Sequence, residues 1–272
     1  MSIGLLASAN NLVLPIWFIW TGISLLLLFV VAGRSGEASP REPESTGVVF
    51  FLAPVGVGLF VVWVMVSAFW NEMAVKSGVS TMTGEHKALL AVIAPLVPAT
   101  LGLMVLRGRT AREAIGLSVD RIRPGVLWGL LGITIALPVV WWSLEASMQL
   151  WKWIGYEHDS KHVLLTELGR HPAMWVRVAI VLAAVVVTPI FEELLFRGLL
   201  QTSLRRVSGS PVAAIFLTSL VFAVIHDAWS APAIFVLSVG IGACYELSRN
   251  LLAAIVMHAA FNAFAIATSG AL

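Results

Sequence analysis

Four side chains in the last third of this 272-residue chain are of the types needed to hydrolyse an amide: Glu192, His226, His258 and Asn262. Glu192 sits in the run Thr188-Pro-Ile-Phe-Glu-Glu-Leu-Leu-Phe-Arg-Gly198. His226 closes Phe222-Ala-Val-Ile-His226, and the other two frame His258-Ala-Ala-Phe-Asn262. Peptide hydrolysis needs a base to activate water, a proton donor for the leaving amine and donors for the tetrahedral oxyanion. Glu192 with His226 can activate the water, while His258 and Asn262 carry N–H groups able to hold the oxyanion. A rival arrangement is a divalent metal site, zinc by ligand type, with Glu192, His226 and His258 as ligands and the ion acidifying its bound water. Asn262 is a poor zinc ligand, which tilts the reading slightly toward glutamate. Both arrangements stay open at this point.

Helical spacing separates the two adjacent glutamates. Glu193 and Arg197 stand four apart on one face, in the favourable acid-before-base order. Glu193 therefore reads as a structural counter-ion. Glu192 is rotated about 100° from it and has no partner within its own helix. An unpartnered carboxylate in apolar surroundings is a candidate general base or acid. Phe222 and His226 share a face, as do His258 and Asn262. Taken alone, a membrane histidine often just joins helices by hydrogen bonding, a reading about as good as chemistry for His226 by itself. Four polar intrusions on three neighbouring segments make that bland reading much weaker.

Composition defines the solvent around these groups. The chain is 59% hydrophobic and only 12% charged, against about 25% charge in an average soluble protein. With a mean hydropathy of +0.92 and the apolar residues in long blocks, a water-soluble enzyme is excluded. The fold class is all-α, a polytopic membrane bundle of eight expected spans. They run from about Leu12 to Ala32, Val48 to Trp70, Ala88 to Leu106, Val126 to Met148, Ala173 past Gly198, Pro211 to His226, Pro232 to Leu247, and Leu251 to Ala267. The first ten residues lack Lys and Arg, and the first apolar block is long enough to stay in the membrane, so no cleaved signal peptide is expected.

A single cysteine, Cys244, excludes a disulfide framework and any multi-cysteine metal site. The seventeen basic residues are scattered through connections, which gives no reason to expect nucleic acid as a partner. Odd-numbered connections hold ten Lys and Arg and even ones six, an asymmetry that favours the odd connections, Arg107–Gly125 above all, on the cytoplasmic side. The segment Arg34–Thr46 reads as a solvated loop, and His158, His162 and His171 as exposed loop histidines. Most of the Trp residues lie near span ends and read as an interfacial belt. Pro189 is expected to kink the fifth span and open room beside Glu192. Gly240 and Gly242 read as close helix contacts, and Cys244 and Glu246 are assigned no role.

The depths agree. If the fifth span turns at Ser208-Gly-Ser, Glu192 lies about 21 Å before that turn and His226 about 22 Å after it. His258 and Asn262 lie about 12 and 18 Å into the last span from the same side. One cavity can hold all four.

These motifs resemble the CPBP intramembrane protease family. That family includes the type II CAAX prenyl proteases (Ras-converting enzymes) and the bacterial bacteriocin-processing and immunity relatives called Abi proteins. The likeness rests on Glu-Glu-x-x-x-Arg, Phe-x-x-x-His and His-x-x-x-Asn on separate spans, with Thr-Pro-Ile before the glutamates and Phe-Arg-Gly-Leu-Leu around the arginine. It covers about Val176–Ala267. The resemblance implies that Glu192 and His226 activate water and that His258 and Asn262 stabilise the oxyanion. Glu193, Arg197 and Phe222 fall at its supporting positions. It implies an integral multi-pass protease acting on a membrane-associated protein or peptide, of prenylated CAAX type in some members, and a bacterial or archaeal cell membrane as the location. Members are described both as metalloproteases and as glutamate-dependent, so the metal question is inherited. Residues 173–272 then form the catalytic four-helix core, and 1–172 a four-helix region with no assigned role. The competing class is a non-catalytic immunity or scaffold protein, or a transporter with a polar core. Inverted repeats and broken helices in both halves would be expected of a transporter, whereas here the polar residues are confined to the C-terminal half.

Overall fold

The computed structural model describes residues 54–67, 69, 83–156 and 163–271. The expected first span, the loop Arg34–Thr46, and His158 and His162 lie outside them. Among the described residues every element is helical. In chain order these are α1 (Pro54–Ser67), α2 (Gly84–Val105), α3 (Arg109–Ala114), α4 (Ile122–Trp153) and α5 (Val163–Arg170). They continue with α6 (Met174–Ser208), α7 (Pro211–Val224), α8 (Ala231–Ser248) and α9 (Leu251–Thr268). Five helices, namely α2, α6, α8, α9 and the helix ending in α4, are long and apolar enough to cross a membrane. The chain is an integral membrane protein. Of the expected spans described in full, the sixth, α7, is shorter than a span requires; α1 is the described part of the second.

Local sequence sets the helix ends. Thr83, Ser210 and Asn250 cap α2, α7 and α9 by accepting from the N–H groups of His86, Ala213 and Leu252. Pro211 fills the first turn of α7, where a missing N–H costs no intrahelical bond. The expected turn at Ser208-Gly-Ser is present: Gly209 ends α6 with φ 67°, a left-handed conformation that glycine adopts without strain. At 14 residues, α7 rises about 21 Å, less than the roughly 30 Å of a bilayer core. His226 follows its last turn and is half-buried. Trp151 at the end of α4 ties down the turn after His226, its indole N–H donating to the Trp229 carbonyl at 3.0 Å.

Two groups of helices wall the central α6. On one side α1 and α2 pack against it. A Cβ on Gly102 would lie 2.8 Å from Leu59 and 2.9 Å from Leu194, and the Trp63 and Phe191 rings stand 6.0 Å apart. On the other side α4 lies against α8 and α9, and its glycines allow the close approach. A Cβ on Gly129 would meet the Ala253 carbonyl oxygen and Val256 Cβ, both at 2.7 Å. The obstacle is partly backbone, so it cannot rotate away. Gly129→Ala is expected to destabilise the fold by about 1–3 kcal/mol, read as a lower unfolding midpoint in detergent. An unchanged midpoint would mean that α4 is free to shift on α9.

Candidate active site

The long helix α6 positions the acidic pair, and it is not a uniform α-helix. Two π-helical stretches, Ala183–Val187 and Leu194–Gln201, flank the α-helical Thr188–Glu193. The expected effect of Pro189 takes the form of the first wide turn. In π geometry the carbonyl of Ala184 looks for the N–H five residues on, at position 189, which proline lacks. Asn262 of α9 supplies the missing donor, its side-chain Nδ2–H reaching the Ala184 carbonyl at 2.8 Å. In the second stretch the Thr202 hydroxyl donates to the Arg197 carbonyl at 2.9 Å.

The two glutamates have separate surroundings, as the rotation between neighbouring helical residues requires. Glu193 and Arg197 are fully buried and paired, Nη1 donating to Oε1 at 3.0 Å. Arg197 is held further by Ser238 of α8, whose carbonyl and hydroxyl oxygens accept from Nη2 at 3.1 and 2.8 Å. Glu192 retains 16% side-chain exposure and faces His258, with Oε2 3.7 Å from Nε2.

His258 links the two carboxylates. Its Nδ1 lies 2.7 Å from the Glu193 oxygen that already accepts from Arg197. An ionised carboxylate only accepts, so Nδ1 carries a proton and Nε2 is turned toward Glu192. His226 is oriented in the same way: its Nδ1 lies 2.6 Å from the Phe222 carbonyl, also an acceptor only. Neutral His226 therefore presents the bare lone pair of Nε2. Both imidazoles lie within electrostatic reach of Glu192.

Phe222 joins these groups. Its ring stands 4.5 Å from the His226 ring, 6.0 Å from that of His258 and 4.9 Å from Phe196, with the Arg197 guanidinium 5.0 Å from its centre. The aromatic face holds one cation and two imidazoles in an apolar wall.

All seven residues singled out by motif thus lie around α6, α7 and α9. Asn262 commits one amide N–H to Ala184 and keeps the other. His171 stays on the connection before α6, where its Nδ1 accepts from the Ala173 N–H at 3.2 Å, remote from the site residues in its contacts. The spacing gave no sign of Ser238, of the Glu193–His258 link, or of Glu246. Glu246 in fact accepts from Gln201 at 3.1 Å and pairs with Arg205, fastening α8 to the end of α6. No intrahelical rule relates residues on different helices, so these contacts leave no trace in local spacing.

A resident metal needs three or more donors that converge on one point. Each imidazole has Nε2 left, with Nδ1 bonded to a carboxylate or a backbone carbonyl as is usual for a metal-bound histidine. Among the described residues no three His, Cys, Asp or Glu side chains are grouped closely enough to hold an ion. Two histidine Nε2 atoms and a carboxylate are suitable donor types for a divalent metal, but as placed they do not converge closely enough to hold one.

The arrangement sets the Glu192 carboxylate 3.7 Å from His258 and packs the rings of His226 and His258 around Phe222, while Asn262 bonds to Ala184, eight residues before Glu192 on α6. Residues 173–264 match a family model described as type II CAAX prenyl endopeptidase Rce1-like. No curated protein and no solved structure matches the chain. The matched third of the chain contains every residue of the site, and over that third this membrane protein is similar to the type II CAAX prenyl endopeptidases.

Proposed function

We propose that the chain is a glutamate-dependent intramembrane endopeptidase, with Glu192 as the group that takes and returns the proton. The observation that carries this reading is the relay Glu192–His258–Glu193–Arg197, in which the second carboxylate fixes the tautomer of the histidine that faces the first. Two carboxylates and one guanidinium leave a single negative charge. One proton held between Glu192 and His258 balances it.

A water between Glu192 and Nε2 of His226 gives one proton to Glu192 and donates its other hydrogen to the imidazole. The resulting hydroxide attacks the scissile carbonyl carbon, and the carbonyl oxygen becomes the oxyanion. His258, protonated at Nε2 and balanced by Glu193, donates to that oxyanion together with the remaining Asn262 N–H. Glu192 then passes its proton to the leaving amine as the C–N bond breaks. The family description supports a membrane-associated, prenylated CAAX-type protein as the substrate class.

The test uses the full chain in liposomes with a library of membrane-anchored peptides, prenylated and unprenylated. Cleavage by the wild-type protein is expected, with full activity after chelation and dialysis. Absence of any cleavage would favour a non-catalytic immunity or scaffold role. Activity lost on chelation and restored by zinc would replace the glutamate-only route with a metal.

A further inference from the structure

At one end of the bundle, α6 and α8 finish, α7 and α9 begin, and the connection before α4 passes beside them. Arginines from the connection before α4, the last turns of α6 and the connection between α8 and α9 gather there. Arg121, ahead of α4, donates Nη2 to the Ser248 carbonyl at 2.6 Å and Nη1 to the Arg249 carbonyl at 3.0 Å, closing the end of α8. Arg205 pairs with Glu246 across α6 and α8. Arg249 is exposed, takes a left-handed backbone with φ 49°, and lies within electrostatic reach of Arg205 and Arg121. Arg206 is next along α6, half-buried and within the same reach of Tyr245 on α8.

One carboxylate, Glu246, lies within electrostatic reach of Arg249, and the cluster keeps an excess of positive charge. Glu246 is already committed to Gln201 and Arg205. Glu113 and Asp120 lie ahead of α4, in a stretch that also carries Arg107 and Arg112. Among the described residues, Arg206 and Arg249 have no hydrogen bond or ion pair to any carboxylate. The Arg249 guanidinium is held below the usual arginine range, first by partial burial and then by Arg205. Gathering like charges from three segments is unfavourable unless an anion sits among them. Guanidinium groups are suited to phosphate in particular, through paired N–H donors.

We propose that this end of the bundle is a seat for the phosphate of an anionic phospholipid headgroup, centred on the exposed Arg249, with Arg121 and Arg205 beside it and Arg206 at its edge. The lipid is favoured as the source because the cluster lies where membrane-spanning helices end, at headgroup depth. The seat is separate from the peptidase centre and does not depend on it. Its arginines belong to the connections expected on the cytoplasmic side.

The full chain is placed in nanodiscs of neutral phosphatidylcholine, with or without phosphatidylglycerol, and lipid affinity and unfolding midpoint are measured. Phosphatidylglycerol is expected to bind wild type and raise its midpoint. In Arg206→Gln/Arg249→Asn the affinity is expected to fall about 30-fold, from about a factor of five per arginine. Asn tolerates the left-handed backbone at 249, so the midpoint in phosphatidylcholine should stay at the wild-type value. If the double variant fails to fold, Arg206→Gln alone is expected to lose about fivefold. Equal phosphatidylglycerol affinity in wild type and folded variant would overturn the seat. Inorganic phosphate that raises the midpoint in neutral discs as much as the lipid does would overturn the lipid assignment.

Discussion

Glu192→Gln is expected to fold like the wild type and to lose turnover by about 10²–10⁴-fold, the range one positioned acid–base group contributes. The substitution keeps shape and volume. In the described structure Glu192 has only one polar neighbour within ion-pair distance, the His258 ring at 3.7 Å, and so supports no helix contact by itself. Glutamine cannot accept the proton of the attacking water or hand one to the leaving amine, so both halves of the reaction fail together. Substrate binding rests on groups left in place, which puts the loss in kcat and leaves KM near its wild-type value. The check is a liposome assay against a peptide cleaved by wild type, with the unfolding midpoint measured alongside. Turnover close to wild type at an unchanged midpoint would remove Glu192 from the proton-transfer step.

The spans and the site residues were legible for different reasons. Long apolar blocks can only be buried in lipid, so α2, α4, α6, α8 and α9 follow from hydropathy. The polar residues inside such blocks mark themselves as exceptions to it. The Glu193–Arg197 pair was readable because helical geometry makes positions four apart neighbours. Depth along α7 was only roughly readable: the apolar run continues to Ile225, whereas the helix ends at Val224. Two features had no local signal. One is the Glu193–His258 bond, which joins positions 65 apart and depends on how α9 packs against α6. The other is the pair of π-helical stretches, for which Pro189 gave half the reason and Asn262, on another helix, the rest. The role left open for the first spans is now partly physical: α1 and α2 back the stretch Phe191–Leu199 that carries the glutamates.

The link between helices changes what Glu193→Gln should do. Spacing alone makes Glu193 a counter-ion, whose loss lowers the yield of folded protein and leaves turnover per molecule intact. The structure gives its Oε1 a second duty, since the same atom accepts from His258 at 2.7 Å and from Arg197 at 3.0 Å. Glutamine leaves Arg197 a buried cation without an anion, which costs about 3–5 kcal/mol against a total stability of about 5–15 kcal/mol. Folded yield is therefore expected to drop sharply. The molecules that do fold are expected to show kcat lower by about 10–100-fold at similar KM, because the His258 imidazolium has lost the carboxylate that orients and balances it. A double variant separates the two duties. Glu193→Gln/Arg197→Gln removes both charges, so no uncompensated ion remains, and most of the stability is expected to return. Turnover should stay low, since His258 still faces a neutral amide. Recovery of turnover together with stability would mean that Glu193 is a counter-ion only, and that His258 holds its tautomer by other means.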